Sequence, residues 1–267
     1  MRLPPPAPEP ADHAARADDL AEILAAFLPT DRSVTIADLG AGAGSNLRYL
    51  APRLPQRQQW TLIDHDTELL ERAVAAAPTD ASASDTRVLA RAHPAELAGF
   101  PDCLPETPDL LTASALLDLV SEDWMRRVVD ICCQRRIPAL FALSVDARLS
   151  LAPAVSGDQL VEAAVLTHQR GSKDMGPALG PDASALAARL FAERGAQVDC
   201  RRSDWRLGPE EASLQRLLIE GWHQAARVQR PDATETIDHW LNERLRLLER
   251  SDIRVGHQDL LAIPCRD

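Results

Sequence analysis

One segment constrains the fold of this 267-residue chain more than any other, because it joins a strand, a glycine-rich turn and a helix. An apolar run at residues 34–39 leads into the sequence GAGAG at residues 40–44, and a helical pattern follows at residues 45–54. Glycines in such a turn let the backbone adopt positive φ and approach a ligand closely. The spacing is not the GxGxxG of dinucleotide-binding turns, because Ser45 stands where the third glycine would be, and it is not a P-loop.

Strands and helices continue to alternate along the chain. Short apolar runs predict strands, whereas apolar residues at helical spacing predict the helices between them. The further expected strands lie at residues 60–64, 86–90, 109–113, 138–145, 197–201 and 260–263. The expected helices lie at residues 11–28, 66–77, from 121 onward, and at 182–194, 209–227 and 232–250. This alternation favours an α/β fold with a parallel sheet, in which ligands bind at the carboxyl ends of the strands.

The domain organisation follows from composition along the chain. The proline-rich residues 1–10 are expected to be disordered, and residues 11–267 are expected to form a single domain. A stretch at about 147–180 contains several glycines and prolines, so we expect a long loop there, with a short strand or helix at 159–168. The helices at about 209–250 form an insertion before the last strand.

The chain carries a formal net charge of −11. This charge argues against nucleic acid or an anionic membrane as the main partner, because both attract positive surfaces. The five cysteines include no CxxC pair, so we expect free thiols and no metal site. The first residues lack the apolar core of a secretion signal, and no apolar run approaches the roughly 18 residues of a membrane span. We therefore expect a cytoplasmic protein.

Two acidic residues accompany the glycines. Asp38 precedes them, and the second expected strand ends in Asp64, whose carboxylate can accept hydrogen bonds from a ribose diol. In this arrangement, residues 30–145 resemble the class I S-adenosylmethionine-dependent methyltransferases, and residues 182–201 resemble them more loosely. The resemblance implies a Rossmann-like, seven-stranded and mainly parallel sheet whose last strand is antiparallel, with helices on both faces. It also implies S-adenosyl-L-methionine as the cofactor.

The resemblance assigns roles to the residues of these motifs. It implies that Asp38 faces the amino end of the methionine moiety, that Asp64 holds the ribose hydroxyls and that His65 lies beside the adenine. The other implied cofactor-binding residues are Gly40, Ala41, Gly42, Gly44, Asn46 and Ser114. Many members carry an acid after the third strand that contacts the adenine amino group. Residues 91–97 lack one at the expected place, so His93 is the candidate for that contact.

The acceptor site is expected after the fourth and fifth strands. Ser114 and Asp118 lie where the resemblance places the methyl donor and the acceptor, although a capped turn explains them equally well. Trp205 follows the sixth strand and is a candidate for stacking on the substrate. Asp118 and His168 are the candidate general bases. Three basic residues of the glycine-rich stretch suit an anionic acceptor, unless that stretch is only a solvated loop: His168, Arg170 and Lys173.

These residues predict methyl transfer from S-adenosylmethionine to a small-molecule acceptor, with proximity and orientation as the main catalytic effect. Two alternatives stay open. The chain could be a cofactor-binding partner subunit without turnover, or another nucleotide-cofactor enzyme such as a nicotinamide oxidoreductase, which the missing third glycine argues against. The helices at 209–250 replace the usual hairpin between the last two strands. They are expected to form a lid, a substrate wall or an oligomer surface, so a homodimer is possible.

Overall fold

The structure, a computed structural model, describes residues 8–55, 57–78, 87–173 and 175–265. Its strands are β1 (Val34–Leu39), β2 (Arg57–Asp64), β3 (Arg87–Pro94), β4 (Leu110–Ser114), β5 (Ala139–Ala152), β6 (Ser172–Lys173), β7 (Gly176–Pro177), β8 (Gln197–Arg202), β9 (Trp205–Leu207) and β10 (Asp252–Ile263). Its helices are α1 (Glu9–Ala15), α2 (Asp18–Phe27), α3 (Ser45–Leu50), α4 (Thr67–Ala75), α5 (Glu122–Gln134), α6 (Asp158–Gln169), α7 (Ala183–Glu193), α8 (Ala212–Gln229) and α9 (Thr234–Leu247).

The main sheet has the strand order β3-β2-β1-β4-β5-β10-β8, and the short strand β9 also pairs with β10. Strands β1 to β5 pair in parallel, whereas β10 runs antiparallel to both β5 and β8. This confirms the expected α/β fold with a mainly parallel sheet and an antiparallel last strand. Strand β9 is an addition to the seven expected strands, and β6 and β7 form a separate hairpin.

The carboxyl ends of four strands lie side by side at one edge of this sheet. Leu39 near the end of β1 pairs with Ile63 of β2 and with Ala113 of β4, and Ile63 pairs with His93 of β3. The segments that follow these strands therefore converge at one edge, as they do in other parallel sheets that bind ligands. That edge is where the site residues predicted from the sequence should meet.

Helices cover both faces of the sheet. On one face, α5 and α7 bury Trp124 and Phe191 in a large apolar cluster, and on the other α2 and α3 pack around Trp60 of β2. A third cluster lies where α6, α8 and α9 cover the extended ends of β5 and β10, and Trp240 is fully buried in it. The stretch in which the sequence predicts two inserted helices thus contains α8 and α9. Among the described residues, no helix is long and apolar enough to cross a membrane.

Residues 147–180 are not the long loop that their glycines and prolines predict. Strand β5 continues to Ala152 because β10 pairs with it along its whole length, from Ala139 to Ala152. Helix α6 follows and buries Val161 and Val165 in the third apolar cluster, and the β6–β7 hairpin comes next. Cross-strand pairing and burial, which a local pattern does not contain, make this stretch regular. The helix agrees with the short element expected at 159–168.

The N-terminal region contains two helices where the sequence predicts one at 11–28. Helix α1 begins at Glu9, so Glu9 and Pro10 are helical although the sequence predicts disorder for residues 1–10. Residues 1–7 of that segment lie outside the described residues. The chain is extended at Arg16, with φ −61° and ψ 147°, and its side chain turns inward to pair with Asp259. An ion pair between Glu9 and Arg48 of α3 also ties α1 to the domain.

Candidate functional site

The glycine turn after β1 is held against β2 and is open to the carboxyl edge of the sheet. Gly40, Gly42 and Gly44 all have positive φ, of +65°, +49° and +81°. The backbone N–H groups of Gly40 and Ala41 donate to the carbonyl of Ile63, at 2.8 and 3.1 Å. This conformation favours glycine, because residues that carry a Cβ rarely adopt positive φ.

Gly44 is also required by packing, and this yields a testable difference between two glycines. A Cβ at Gly44 would lie 2.9 Å from the Cβ of Ala73, whereas a Cβ at Gly195, also at positive φ (+77°), would meet nothing within 4 Å. We expect Gly195→Ala to cost about 1–2 kcal/mol of unfolding free energy from φ strain alone. Gly44→Ala should cost about 1–3 kcal/mol more because of the added overlap. Urea denaturation of both variants measures the difference, and equal losses would contradict the close packing of the turn on α4.

Asp38, at the carboxyl end of β1, is fully buried and only half satisfied. Its Oδ1 accepts a hydrogen bond from Nδ2 of Asn46 at 2.8 Å, whereas its Oδ2 has no partner among the described residues. Burial raises the pKa of Asp38 to about 7. Behind it, Nη1 of Arg16 donates to Oδ1 of Asn46 at 2.9 Å, and Nε of Arg16 donates to Asp259 at 3.1 Å. A buried carboxylate oxygen with no partner suits a cationic or hydrogen-donating group of a ligand.

Asp64 ends β2 and is tied into the glycine turn. Its Oδ2 accepts a hydrogen bond from the backbone N–H of Gly42 at 2.9 Å, and its Oδ1 accepts one from the N–H of Asp66 at 3.0 Å. His65 is largely exposed, with Nδ1 3.2 Å from Oδ1 of Asp64. The neighbouring Asp66 caps α4 by accepting from the N–H groups of Glu68 and Leu69. Capping is thus the role of Asp66, and the Asp64 carboxylate keeps lone pairs for a ligand.

A cavity of about 330 Å³ opens beside these groups at the carboxyl edge of the sheet. It is lined by residues from the turns after β1, β2, β3 and β4 and from the β6–β7 hairpin region: Gly40, Asp64, His65, Glu96, Leu97, Ala98, Ala115, Leu116, Leu119, Lys173 and Met175. Ligand pockets of about 300–1,000 Å³ with apolar walls and a few placed polar groups are typical of cofactor sites. Two carboxylates beside apolar walls suit a nucleoside, whose ring is flat and whose diol and amino group donate hydrogen bonds.

Glu96 is a site residue that the sequence reasoning missed. The sequence places the third strand at 86–90 and offers His93 for the adenine contact, but β3 continues to Pro94, and His93 lies within it opposite Ile63. Glu96 then follows the strand and lines the cavity, whereas His93 does not line it. Because β3 pairs with β2 as far as Pro94, the turn after it begins four residues later than the sequence predicts. Counted from this later strand end, Glu96 is the acid expected after the third strand, so it replaces His93 as the candidate for the adenine contact.

Asp118 lies close enough to Lys173 for the lysine's charge to affect its pKa, but only Lys173 lines the cavity. Lys173 lines the cavity from β6, and the hairpin region is anchored by the N–H of Leu179, which donates to the carbonyl of Val120 at 2.9 Å. Burial raises the pKa of Asp118 to about 6, although the nearby charge of Lys173 acts in the opposite direction. Oδ1 of Asp118 has no hydrogen-bond partner among the described residues. The pair therefore offers one cation and one weakly acidic carboxyl group.

Three other predicted site residues lie elsewhere. Nδ1 of His168 is 3.5 Å from Nε2 of Gln229, and Arg170 pairs with Asp182 at 3.1 Å. The indole N–H of Trp205 donates to Asp12, outside the lining of the cavity. His168 lies in the last turn of α6, whereas Lys173 lies in β6 and lines the cavity. The basic residues that the sequence grouped together therefore do not form one set.

The remaining predicted residues complete the placement. Ser114 ends β4 without lining the cavity, whose wall there begins at Ala115. Ala41 is buried in an apolar cluster with Leu47, and Asn46 contacts Asp38 rather than the cavity. Among the described residues, no group of three or more His, Cys, Asp or Glu side chains is placed to hold a metal ion.

Comparisons with known proteins extend the description of the fold. No protein-family model matches the sequence, and no curated protein matches it. A cyclopropane-fatty-acyl-phospholipid synthase-like protein from Lactobacillus casei has a similar structure, with a TM-score of 0.56 and 12% identity over 98% of this chain and 96% of that one. The YcgJ protein from Bacillus subtilis is less similar, with a TM-score of 0.49 and 13% identity over 94% of this chain and 100% of that one. Strand order, the antiparallel β10 and the similarity to the Lactobacillus casei protein show that this chain has the Rossmann-like fold of the class I S-adenosylmethionine-dependent methyltransferases.

Proposed function

We propose that the chain is an S-adenosylmethionine-dependent methyltransferase that acts on a small-molecule acceptor. The observation that carries the proposal is the arrangement at one edge of the sheet, where Asp64, Glu96 and Gly40 of the glycine turn line a single cavity. A carboxylate at the end of β2 suits a ribose diol, and a second carboxylate after β3 suits the amino group of an adenine. The fold supports the same proposal.

The residues present fit this cofactor. Asp64 would accept hydrogen bonds from the ribose, Glu96 would accept one from the adenine amino group, and Leu97 and Leu116 would contact the ring. The unpartnered Oδ2 of Asp38 would receive the amino group of the methionine moiety. When bound, S-adenosylmethionine supplies a methyl group already activated by its sulfonium.

The residues of the chain would orient the two reactants and accept a proton from the acceptor. Holding two reactants in line can lower a barrier by roughly 7–11 kcal/mol in favourable cases, so most of the catalytic effect can come from geometry. Asp118 is the candidate proton acceptor, because its pKa of about 6 lies close to neutrality and its Oδ1 has no hydrogen-bond partner within the described part of the chain. Lys173 lines the cavity at the glycine turn and would hold an anionic group of the acceptor. His168, Arg170 and Trp205 do not line this cavity, so these roles fall to Asp118 and Lys173.

A transfer assay tests the proposed function. The protein is incubated with S-adenosylmethionine labelled in its methyl group and with fractions of small metabolites, and labelled products are separated by chromatography. A labelled small molecule that forms with the wild type but not with Glu96→Ala supports the proposal. Cofactor binding without transfer to any fraction would instead favour the alternative of a partner subunit without turnover. Four further points stay predictions: that the acceptor is a small molecule, that nucleic acid is not a partner, that the protein is cytoplasmic and that it forms a homodimer.

The buried Asp38 predicts a pH dependence of cofactor binding. Burial disfavours the charged form of its carboxylate most strongly, the hydrogen bond from Asn46 and the charge of Arg16 favour it, and Asp64 disfavours it, with a resulting pKa of about 7. An amino group bound at Asp38 needs the charged form, so affinity for S-adenosylhomocysteine should rise between pH 6 and pH 8, by at most about tenfold per pH unit. Titration calorimetry measures this. Asp38→Asn should bind more weakly and with a flat profile, and a wild-type profile equally flat would contradict the assignment.

The same group affects the stability of the unliganded protein in the opposite sense. Between its ordinary pKa of 3.8 and its folded value of about 7, the native state of Asp38 keeps a proton that the unfolded chain has lost. Its contribution to stability is therefore fully present below the lower value and is lost as pH rises through the upper one. Asp38→Asn should remove this part of the pH dependence.

A further inference from the structure

A second cavity, of about 480 Å³, lies between α1 and the strands β8, β9 and β10. It shares no lining residue with the cavity at the glycine turn. Helix α1 contributes only proline and alanine side chains to it, which leaves an apolar wall with room beside it. The strands contribute three arginines, Arg202, Arg206 and Arg254.

The side chains of these three arginines have no hydrogen-bond or ion-pair partner within residues 8–55, 57–78, 87–173 and 175–265. Arg148, in contrast, pairs with Asp146 and Asp204. Arg206 of β9 and Arg254 of β10 are direct cross-strand partners. Like charges directly opposite each other destabilise a strand pair, so the arrangement costs stability unless an anion lies between them.

The sheet fixes which way these arginines point. Successive side chains of a strand lie on opposite faces. Trp205 and Val255, the neighbouring cross-strand pair, pack in the apolar cluster with α6, α8 and α9. Arg206 and Arg254 therefore lie on the other face, which these helices do not cover.

The two carboxylates of the cavity do not neutralise the arginines. Asp204 accepts hydrogen bonds from Arg148 through both oxygens, at 2.7 and 3.0 Å. Against the effect of burial, these bonds and the charge of Arg148 lower the pKa of Asp204, and the charge of Arg254 adds to this without forming an ion pair in the described structure. Oε2 of Glu211 accepts the N–H of Gly208 at 2.8 Å. The cavity is thus locally basic in a chain of net charge −11.

We propose that this cavity binds the phosphate group of a small molecule, with the three arginines as its ligands and the alanines of α1 against the rest of the molecule. Guanidinium groups bind phosphate oxygens bidentately, and a ligand between Arg206 and Arg254 would relieve their repulsion. The volume of about 480 Å³ exceeds what one phosphate needs and lies in the range of small-molecule pockets. The site is independent of the proposed methyl transfer.

Calorimetry with inorganic pyrophosphate as the probe tests the proposal. The wild type is compared with Arg206→Gln/Arg254→Gln and with the control Arg127→Gln/Arg246→Gln. The control removes two exposed arginines, of α5 and α9, that do not line the cavity. We expect the first variant to bind pyrophosphate at least about tenfold more weakly and the control to bind as the wild type does. Because the first variant removes a repulsive pair, its unfolding midpoint without ligand should not fall. Arg202→Gln gives a second, single-site reading if the double variant is unstable.

Two results would overturn the proposal. One is an absence of pyrophosphate binding to the wild type beyond the effect of sodium chloride at equal ionic strength. The other is an equal loss of binding in the double variant and in its control. Flotation with phosphatidylglycerol vesicles separates two sources of phosphate. No flotation of the wild type assigns the site to a soluble phosphate, which the net charge of −11 favours, and flotation that the double variant loses assigns it to a lipid headgroup.

Discussion

Arg16→Met is expected to lower the free energy of unfolding by about 3–5 kcal/mol, the range measured when one partner of a buried ion pair is removed. The side chains of Arg16 and Asp259 are only 2% and 1% exposed. Without the arginine, Asp259 would keep the N–H groups of Ala17 and Leu143 as donors, but its charge would be uncompensated in the interior. Asn46 would also lose a donor. Urea denaturation monitored by tryptophan fluorescence measures the loss.

The chain offers a matched control for this experiment. Arg32 and Asp109 form an ion pair with two short hydrogen bonds, but the side chain of Arg32 is 55% exposed. Exposed pairs contribute about 0–1 kcal/mol, so Arg32→Met should have little effect. If Arg16→Met and Arg32→Met lowered the free energy of unfolding by the same small amount, the account would be wrong. The ion pair between Arg16 and Asp259 would then not be what fixes the N-terminal helices to the sheet.

Asp64→Ala is expected to weaken the binding of S-adenosylhomocysteine by at least about tenfold. Charge-assisted hydrogen bonds contribute about 1.5–3 kcal/mol each, and about 1.4 kcal/mol corresponds to a factor of ten in affinity. Asp64→Asn should also bind more weakly, because it keeps an acceptor oxygen but loses the charge. Titration calorimetry gives the dissociation constants, and circular dichroism shows whether each variant is folded.

Asp66→Ala is the control, since the two carboxylates are neighbours with different roles. Losing the cap of α4 should cost about 1 kcal/mol of stability while affinity stays close to the wild type. If folded Asp64→Ala binds as tightly as the wild type, or if Asp66→Ala weakens binding as much, Asp64 is not the ribose ligand.

The parts of the molecule that could be predicted from the sequence are those specified by local patterns. Strand β1, the glycine turn and β2 follow one another closely, so Asp38, Gly40 and Asp64 could be placed at one edge without knowing any long-range contact. Parallel pairing then brings the ends of neighbouring strands together. Among the more distant predictions, Lys173 does line the cavity, but it does so from the separate β6–β7 hairpin and not from the end of a parallel strand.

The parts that could not be predicted depend on pairing between distant segments. Strand β10 lengthens β5 by pairing along it, and this changes a supposed loop into strand and helix. Strand β3 continues beside β2 to Pro94, and this brings Glu96 rather than His93 to the site. Arg16 and Asp259 lie 243 positions apart, so no local pattern shows that they pair or that this pairing interrupts the first helix.

The central claim is that the cavity at the glycine turn is a site for S-adenosylmethionine and its product. Titration calorimetry of the wild-type protein with S-adenosylhomocysteine, and separately with NADH, tests it most directly. The account predicts saturable binding of S-adenosylhomocysteine at one site per chain, weakened in Asp64→Ala, and no comparable binding of NADH. Binding of NADH without any binding of S-adenosylhomocysteine or S-adenosylmethionine would contradict it.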